Sequence, residues 1–321
     1  MPVGTLSVRT YKLVVAPADV LATDEVTTID SNTGNLISVN ENDTDTGLNL
    51  SALDFKFKVK RTLKAKPNTA VVSVYGLKES SRLYLSTPKK LSMSLEVGYN
   101  GENELIFLGE VRNSYSMQEH AENITVMETG DSEKVMQAAG MNLTFGSQSI
   151  SFKSALNAIQ ATIPQIMSGS QVAAWQKQNA VLAQVNAAIL HPKGGAIDRK
   201  STRYLDNICK SLGLEWSVQN GAVTIFSKDT GENNQDIVLD ENSGLIGSPS
   251  VDNNGFLEFK SLILKGMHPG ACVQIKSKNT NGRYRLESCE WEGGNQAGHR
   301  EWYIKCLATN PKNAQGQKTG F

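Results

Sequence analysis

Residues 55–60 have the sequence FKFKVK, in which apolar and basic side chains alternate. Residues 91–97, LSMSLEV, alternate in the same way between apolar and small polar or acidic side chains. A period of two is typical of a strand with one buried face, because successive side chains point to opposite sides. The pattern returns in residues 271–276 and 301–307. The sequence therefore predicts a β domain, an antiparallel sandwich or barrel, near each end of the chain.

The stretch between the two β regions has helical spacing instead. Apolar side chains recur three or four positions apart in residues 152–163 and 171–190, and residues 132–139 and 201–212 are further helix candidates. Residues 215–226 are predicted to form a hairpin, because Asn220-Gly221 favours a tight turn. The fold class is therefore mainly β with a helical insert (α+β), in which a small helical and hairpin domain separates two β domains.

These patterns divide the chain of 321 residues into four segments. Residues 1–130 are the N-terminal β domain, with an acidic, turn-rich insertion at about 24–47 that we expect to be a long loop or irregular hairpin. Residues 131–240 are the middle domain, and residues 241–310 are the second β domain. Residues 311–321 have no periodicity and are predicted to be a mobile tail.

Composition excludes several classes of function. The formal net charge is +0, from 32 basic and 32 acidic side chains, which argues against a general nucleic-acid binder. No apolar run approaches the roughly 20 residues of a membrane span, and residues 1–9 lack a signal-peptide core, so we expect folding in a cytoplasm without membrane insertion. No C-x-x-C pair occurs, and we expect four buried, reduced thiols: Cys209, Cys272, Cys289 and Cys306.

Candidate catalytic groups are sparse. A nucleophilic site needs a base within reach of the nucleophile, and none of the four histidines lies in such a motif: His120, His191, His268 and His299. A carboxylate pair could hydrolyse a glycan, and two groups offer one: Glu287, Glu290 and Glu292 around Trp291, and Glu128 and Asp131 around Thr129. Because Glu290 and Glu292 share one face of a predicted strand, a solvated polar face is favoured. We therefore expect no catalytic residues.

Two further patterns concern cations and phosphates. Residues 30–34 (DSNTG) and 43–47 (DTDTG) resemble the start of a calcium loop, but neither has the bidentate glutamate at position twelve. We therefore expect surface loops, no metal and no cofactor. Lys56, Lys58 and Lys60 form a basic row that favours a solvated strand face over phosphate binding. The same row is our candidate for a subunit interface.

Several blocks of sequence, taken in order, resemble one known family. They are residues 55–77 with the step KPNTA at 66–70, residues 98–111, 128–131, 205–221, 244–249 and 269–284, and the pair Trp302-Tyr303. Over about residues 50–310 this order resembles the baseplate hub proteins of tailed bacteriophages. Relative to that pattern, the segment before Leu48 and residues 171–190 look like insertions.

The resemblance implies a fold and a function. Such hubs are trimers whose subunits each carry two tube-like β-barrels, so that three chains present six barrels between a six-fold tail tube and a three-fold spike. It implies a non-enzymatic structural protein of the virion tail baseplate, assembled in the host bacterial cytoplasm. The implied partners are the tail tube or distal tail protein, the central spike, other baseplate proteins, and DNA that passes through the lumen without specific binding. A tail-associated peptidoglycan hydrolase and a carbohydrate-binding β protein are the alternatives.

Overall fold

The computed structural model describes most of both β regions and parts of the middle of the chain. The described residues are 8–17, 21, 36–38, 46–64, 66–86, 90–119, 122–131, 140–145, 150–151, 189–191, 195–220, 222–227, 237–295 and 301–310. The predicted helices at 132–139 and 152–163, nearly all of the one at 171–190, and the predicted tail lie outside these residues.

The described residues form strands throughout, with two helices. The first part of the chain contains β1 (Arg9–Pro17), β2 (Leu36–Ser38), β3 (Thr46–Asn49), β4 (Phe55–Thr62), β5 (Thr69–Tyr75), α1 (Glu79–Ser86), β6 (Leu91–Tyr99), β7 (Glu102–Glu119) and β8 (Glu122–Gly130). The middle contains β9 (Gly140–Phe145), β10 (Ile150–Ser151), β11 (Ile189–His191), β12 (Gly195–Lys200), α2 (Ser201–Ser211), β13 (Leu214–Gln219) and β14 (Ala222–Ser227). The last part contains β15 (Ile237–Leu239), β16 (Leu245–Val251), β17 (Leu257–Ser261), β18 (Cys272–Lys276), β19 (Asn281–Gly294) and β20 (Trp302–Thr309).

Strands from both ends of the chain join one 14-stranded sheet. Its order is β16-β17-β20-β19-β4-β5-β8-β7-β6-β1-β3-β2, and β18 and β15 continue from the first half of β19. Every pair is antiparallel except β15 with β18. The prediction of a mainly antiparallel β fold is confirmed. The described strands of one chain do not close into a barrel, because β16 and β2 remain as the ends of the sheet.

The strand order is the same in the two halves of this sheet. We name β1 with β4–β8 the N-terminal lobe, and β15–β20 the C-terminal lobe. The N-terminal lobe has the order β4-β5-β8-β7-β6-β1, and the C-terminal lobe has the order β16-β17-β20-β19-β18-β15. The sixth strand differs in direction, since β1 is antiparallel to β6 whereas β15 is parallel to β18. Each lobe therefore contains the same arrangement of five antiparallel strands.

The alternation in residues 55–60 decides the two faces of β4. Phe55, Phe57 and Val59 are buried in the core, whereas Lys58 and Lys60 are exposed on the opposite face. Burying three large apolar side chains on one face is worth roughly 1.5–3 kcal/mol each. This face fixes the register of β4, because a slip of one residue would bury the lysines.

Two Asn-Gly pairs, each of a sequence that favours a tight turn, lie in different places in the structure. Asn100 and Gly101 adopt φ of 54° and 85°, which a tight turn between β6 and β7 requires. Asn281-Gly282, which also suggests a turn, lies instead within β19, opposite Lys276 and Ile275. The chain reverses at residues 277–280, where the Ser277 hydroxyl accepts a hydrogen bond from the backbone N–H of Thr280. That hydrogen bond closes the turn at residues 277–280, so Asn281-Gly282 forms the start of β19 and not the turn.

Within residues 201–227, helix α2 packs on the hairpin of β13 and β14. Helix α2 buries Tyr204, Leu205 and Ile208 on one stripe and is followed by Gly213 with φ of 68°. A glycine tolerates this left-handed conformation after a helix end. The indole N–H of Trp216 in β13 donates a hydrogen bond of 2.6 Å to Asp206. The predicted helix at 201–212 and hairpin at 215–226 are thus both present.

No helix among the described residues is long and apolar enough to cross a lipid bilayer.

Candidate assembly surface at the lobe junction

The two lobes meet where β4 pairs with β19. The antiparallel ladder runs from Ser288 opposite Thr62 to Gly294 opposite Lys56. The side chain of Asn295 extends the junction, since its Oδ1 accepts a 2.7 Å hydrogen bond from the backbone N–H of Phe55. The β4–β19 ladder therefore makes one sheet out of two lobes that are far apart in sequence.

The exposed side of this junction carries paired charges. Lys58 on β4 lies 2.8 Å from a carboxylate oxygen of Glu290 and 3.9 Å from Glu292, both on β19. Lys60 lies 3.9 Å from Glu290. The hydrogen bond to Glu290 and the charge of that carboxylate raise the pKa of Lys58. The lysine side chains are more than half exposed, so these pairs set orientation more than they add stability.

The alternation of charge continues on the neighbouring strands. Lys305 on β20 lies 2.6 Å from Glu258 on β17. The hydrogen bond to Glu258 and its charge raise the pKa of Lys305. From β17 to β4, acidic, basic, acidic and basic side chains follow each other across the same face. This face is therefore polar and carries charges of both signs.

The three lysines predicted at a subunit interface therefore lie at an interface between lobes of one chain. Lys56 differs from the other two, because its ammonium lies 5.4 Å from the ring centroid of Tyr75. The sequence predicted the exposed row but missed its partners. The alternating lysines of β4 and the alternating glutamates Glu290 and Glu292 of β19 were the sequence signal that could have predicted this pairing. A further contact of the lysines with another subunit stays a prediction.

Aromatic side chains fill the buried side of the junction. Phe57 of β4 meets Trp302 of β20 edge-on at a centroid distance of 5.6 Å, and Tyr11 and Tyr99 pack around the same indole at 6.4 Å. Gly293 faces Phe57, and a Cβ there would lie 2.6 Å from the phenylalanine ring. Glycine at this position allows the two lobes to share one core.

A buried polar cluster ties the middle hairpin to the N-terminal lobe. Asn68 is fully buried, and its amide group donates hydrogen bonds of 2.7 Å to Asp131 and 2.8 Å to the carbonyl of Val218. Its side-chain oxygen accepts a bond from the N–H of Thr62. The guanidinium of Arg61 donates to Gln219 on the same hairpin at 3.0 Å. These residues lie in the blocks 55–77, 128–131 and 205–221 that carry the family resemblance, but no local pattern in the sequence predicts their contacts with one another.

The three glutamates considered for glycan hydrolysis around Trp291 each have a hydrogen-bond or ion-pair partner within the sheet. Glu287 accepts hydrogen bonds from Arg285 and, at 2.6 Å, from Thr309. Glu290 pairs with Lys58, and Glu292 accepts a bond of 2.8 Å from the hydroxyl of Tyr303. Trp291 is buried on the other face, as predicted. The geometry therefore favours a polar strand face over a catalytic pair.

The histidines, the calcium-like segments and the cysteines form no common site among the described residues. His268 contacts the carbonyl of Pro269, while His120 and His299 lie outside the described residues and His191 ends β11. Within the described ranges no group of histidine, cysteine and carboxylate side chains could hold a metal ion, and most of the calcium-like segments lie outside those ranges. The four cysteines are buried and form no disulfide, and burial raises the pKa of Cys209 to about 12.

Besides β2 and β15, two strands of the described sheet have an edge without a neighbour. The second half of β7, residues 113–119, pairs with β8 on one edge only. Strand β16 pairs with β17 on one edge only and ends the sheet. The strand pattern did not predict β16, because Gly247 and Pro249 interrupt its alternation.

The sequence matches no protein-family model, and no curated protein matches it either. The fold is similar to that of a 43 kDa tail protein of prophage MuSo2 from Shewanella oneidensis, at 7% identity and a TM-score of 0.50 over 80% of this chain and 96% of that chain. It is also similar to a tail protein from Neisseria meningitidis, at 11% identity and a TM-score of 0.50 over 79% and 92%.

A third similar structure is the E. coli c3393 protein, a type VI secretion component described as resembling the T4 tail proteins gp27 and gp5. It has 8% identity and a TM-score of 0.50 over 83% of this chain and 75% of that chain. At such identities the likeness concerns the fold. The resemblance predicted from the sequence is confirmed at that level, and the chain has the fold of phage tail and baseplate hub proteins.

Proposed function

We propose that this protein is a structural, non-enzymatic component of a phage tail, a trimeric baseplate hub that joins the six-fold tail tube to the three-fold spike. The observation that carries the proposal is the strand order repeated in the two lobes of one chain. Three chains with two similar lobes each present six similar units, which matches a six-fold neighbour while keeping a three-fold axis. In this proposal the lobes act as the two tube-like barrels, residues 1–130 and 241–310.

The charge pattern at the lobe junction supports a role around a channel. The exposed face is polar and pairs basic with acidic side chains, Lys58 with Glu290 and Lys305 with Glu258. DNA is held by an excess of basic groups that displace its counterions. A lumen lined by this face would let DNA pass without binding it specifically. The tail tube or distal tail protein, the spike and other baseplate proteins are the proposed neighbours, in the virion after assembly in the host cytoplasm.

Light scattering on the purified protein tests the proposal. The expected mass is three times the chain mass of 34.8 kDa, for the protein alone or with its spike partner added. Negative-stain images should show a three-fold ring with a central hole. A mass of one chain that persists when the spike partner is present would overturn the hub proposal.

A further inference from the structure

The C-terminal lobe already joins another lobe through one edge of its long strand. Strand β19 pairs with β18 along its first half and with β20, on the opposite edge, along its second half. Strand β4 lies beside the second half on the same edge as β18. Strand β7 has the same arrangement, with β6 along its first half and β8 along its second. On β7, however, no described strand occupies the place that corresponds to the position of β4 beside β19.

The two long strands correspond residue by residue. Each has one bulge in the hairpin with the following strand, after Val111 in β7 and after Leu286 in β19. Counted from the bulge, Ser116 holds the position of Trp291, which faces Val59 across the lobe junction. The open edge of β7 is therefore a second copy of the edge that β19 uses.

The first strands of the two lobes also correspond. Strand β16 pairs with β17 as β4 pairs with β5, and Val251 opposite Leu257 holds the position of Val59 opposite Ala70. Strand β4 uses its other edge for β19, whereas that edge of β16 is the end of the described sheet. Within the described residues, β7 and β16 thus each have an unpaired edge, and these edges correspond to the edges of β19 and β4 that pair with each other.

We propose that these edges pair between copies of this chain, so that β7 of one subunit runs antiparallel beside β16 of the next. The register of the lobe junction would set Ser116 opposite Val251 of the partner subunit and Met117 opposite Ser250 of the partner subunit. The contact is head-to-tail and closes into a ring when the rotation allows it. This inference rests on the proposed trimeric hub and names the surface that would build it.

The composition of both edges favours such a contact. Tyr115 and Met117 on β7 are 42% and 45% exposed, and Ile246 and Val251 on β16 are 39% and 68% exposed. Residues 113–118 and 245–251 contain no charged side chain. Strand edges that stay in solvent usually carry charges that prevent pairing. These two edges lack that protection.

Pro249 limits the length of the contact. It lies in the irregular stretch between Ile246 and Ser250 and donates no backbone hydrogen bond. We therefore centre the ladder on Ser250 and Val251, next to Ser116 and Met117. In this register Ile246 would lie beyond the bulge, on the same face as Met117.

Cysteine pairing in the full-length protein tests the register. In the double variant Ser116→Cys/Val251→Cys, oxidation with diamide should link neighbouring chains, because residues opposite each other on antiparallel strands meet the Cα distance of a disulfide. On a non-reducing gel the largest product should be a covalent trimer. Mixing the two single variants should give linked dimers and nothing larger. The four native cysteines are buried and leave the background low.

Asn113→Cys/Val251→Cys is the matched control, since it moves one thiol about 10 Å along the same strand and should not cross-link. A trimeric mass without cross-linking of the Ser116→Cys/Val251→Cys variant would overturn the proposed edge pairing and leave the hub proposal standing. A monomeric mass that persists with the spike partner present would overturn both. Circular dichroism on each variant shows that the fold is kept.

Discussion

At the scale of single residues, Trp302 is the side chain that couples the lobes. It is 3% exposed and packs against Phe57 of the other lobe. We expect Trp302→Ala to lower the free energy of unfolding by about 3–5 kcal/mol, because a large buried ring is replaced by a cavity. Denaturant titration measures this loss. Lys305→Ala, on the exposed face of the same strand, should cost less than about 1 kcal/mol, and equal effects of the two changes would contradict this assignment.

Alternation in the sequence was enough to place Trp302 on the buried face of its strand. It could not identify Phe57 and Tyr11 as the neighbours of that ring. Those contacts depend on the register between strands from opposite ends of the chain, and no local pattern encodes it. Gly293 shows the same limit of sequence-based prediction. Only the pairing of β19 with β4 reveals that the ring of Phe57 leaves no space for a Cβ at this position.

At the scale of elements, Asn68 connects the β4–β5 turn, the end of β8 and the middle hairpin. We expect Asn68→Ala to cost about 3 kcal/mol, since each buried polar group left unsatisfied costs about 1–3 kcal/mol. Limited proteolysis should cut the middle domain faster in this variant than in the wild type. Asn123→Ala, at an exposed position of β8, is the control, and an equal increase in cleavage would contradict the proposed connection.

The sequence predicted nearly every long strand of the two lobes, because their alternation is strong and turn residues separate them. It missed the short strands. Strand β15 is too brief to show a period, and Gly247 and Pro249 obscure β16. It also missed α1, whose sequence ESSRLYLS buries only Ser81 and Leu85 and has a weak apolar stripe. The unpaired edge of β16 depends on one of these missed elements and was therefore not predictable.

At the scale of the whole molecule, a shared core should make the lobes unfold together. The buried cluster contains residues of both lobes without a break, and the β4–β19 ladder crosses between them. We expect one cooperative calorimetric transition for the sheet, which Trp302→Ala shifts as a whole. Two separate transitions would show that the lobes are independent, if Trp302→Ala shifts only the transition of the C-terminal lobe.

The opposite directions of β1 and β15 have a consequence for any closed ring of three chains. A neighbour that touches only the five strands common to both lobes would meet six equivalent places. A neighbour that also contacts the sixth strand would meet β1 and β15 in alternation around the ring. Its contact sites would therefore have three-fold symmetry. The reversal of one strand would thus let a single ring present six-fold symmetry to one neighbour and three-fold symmetry to another.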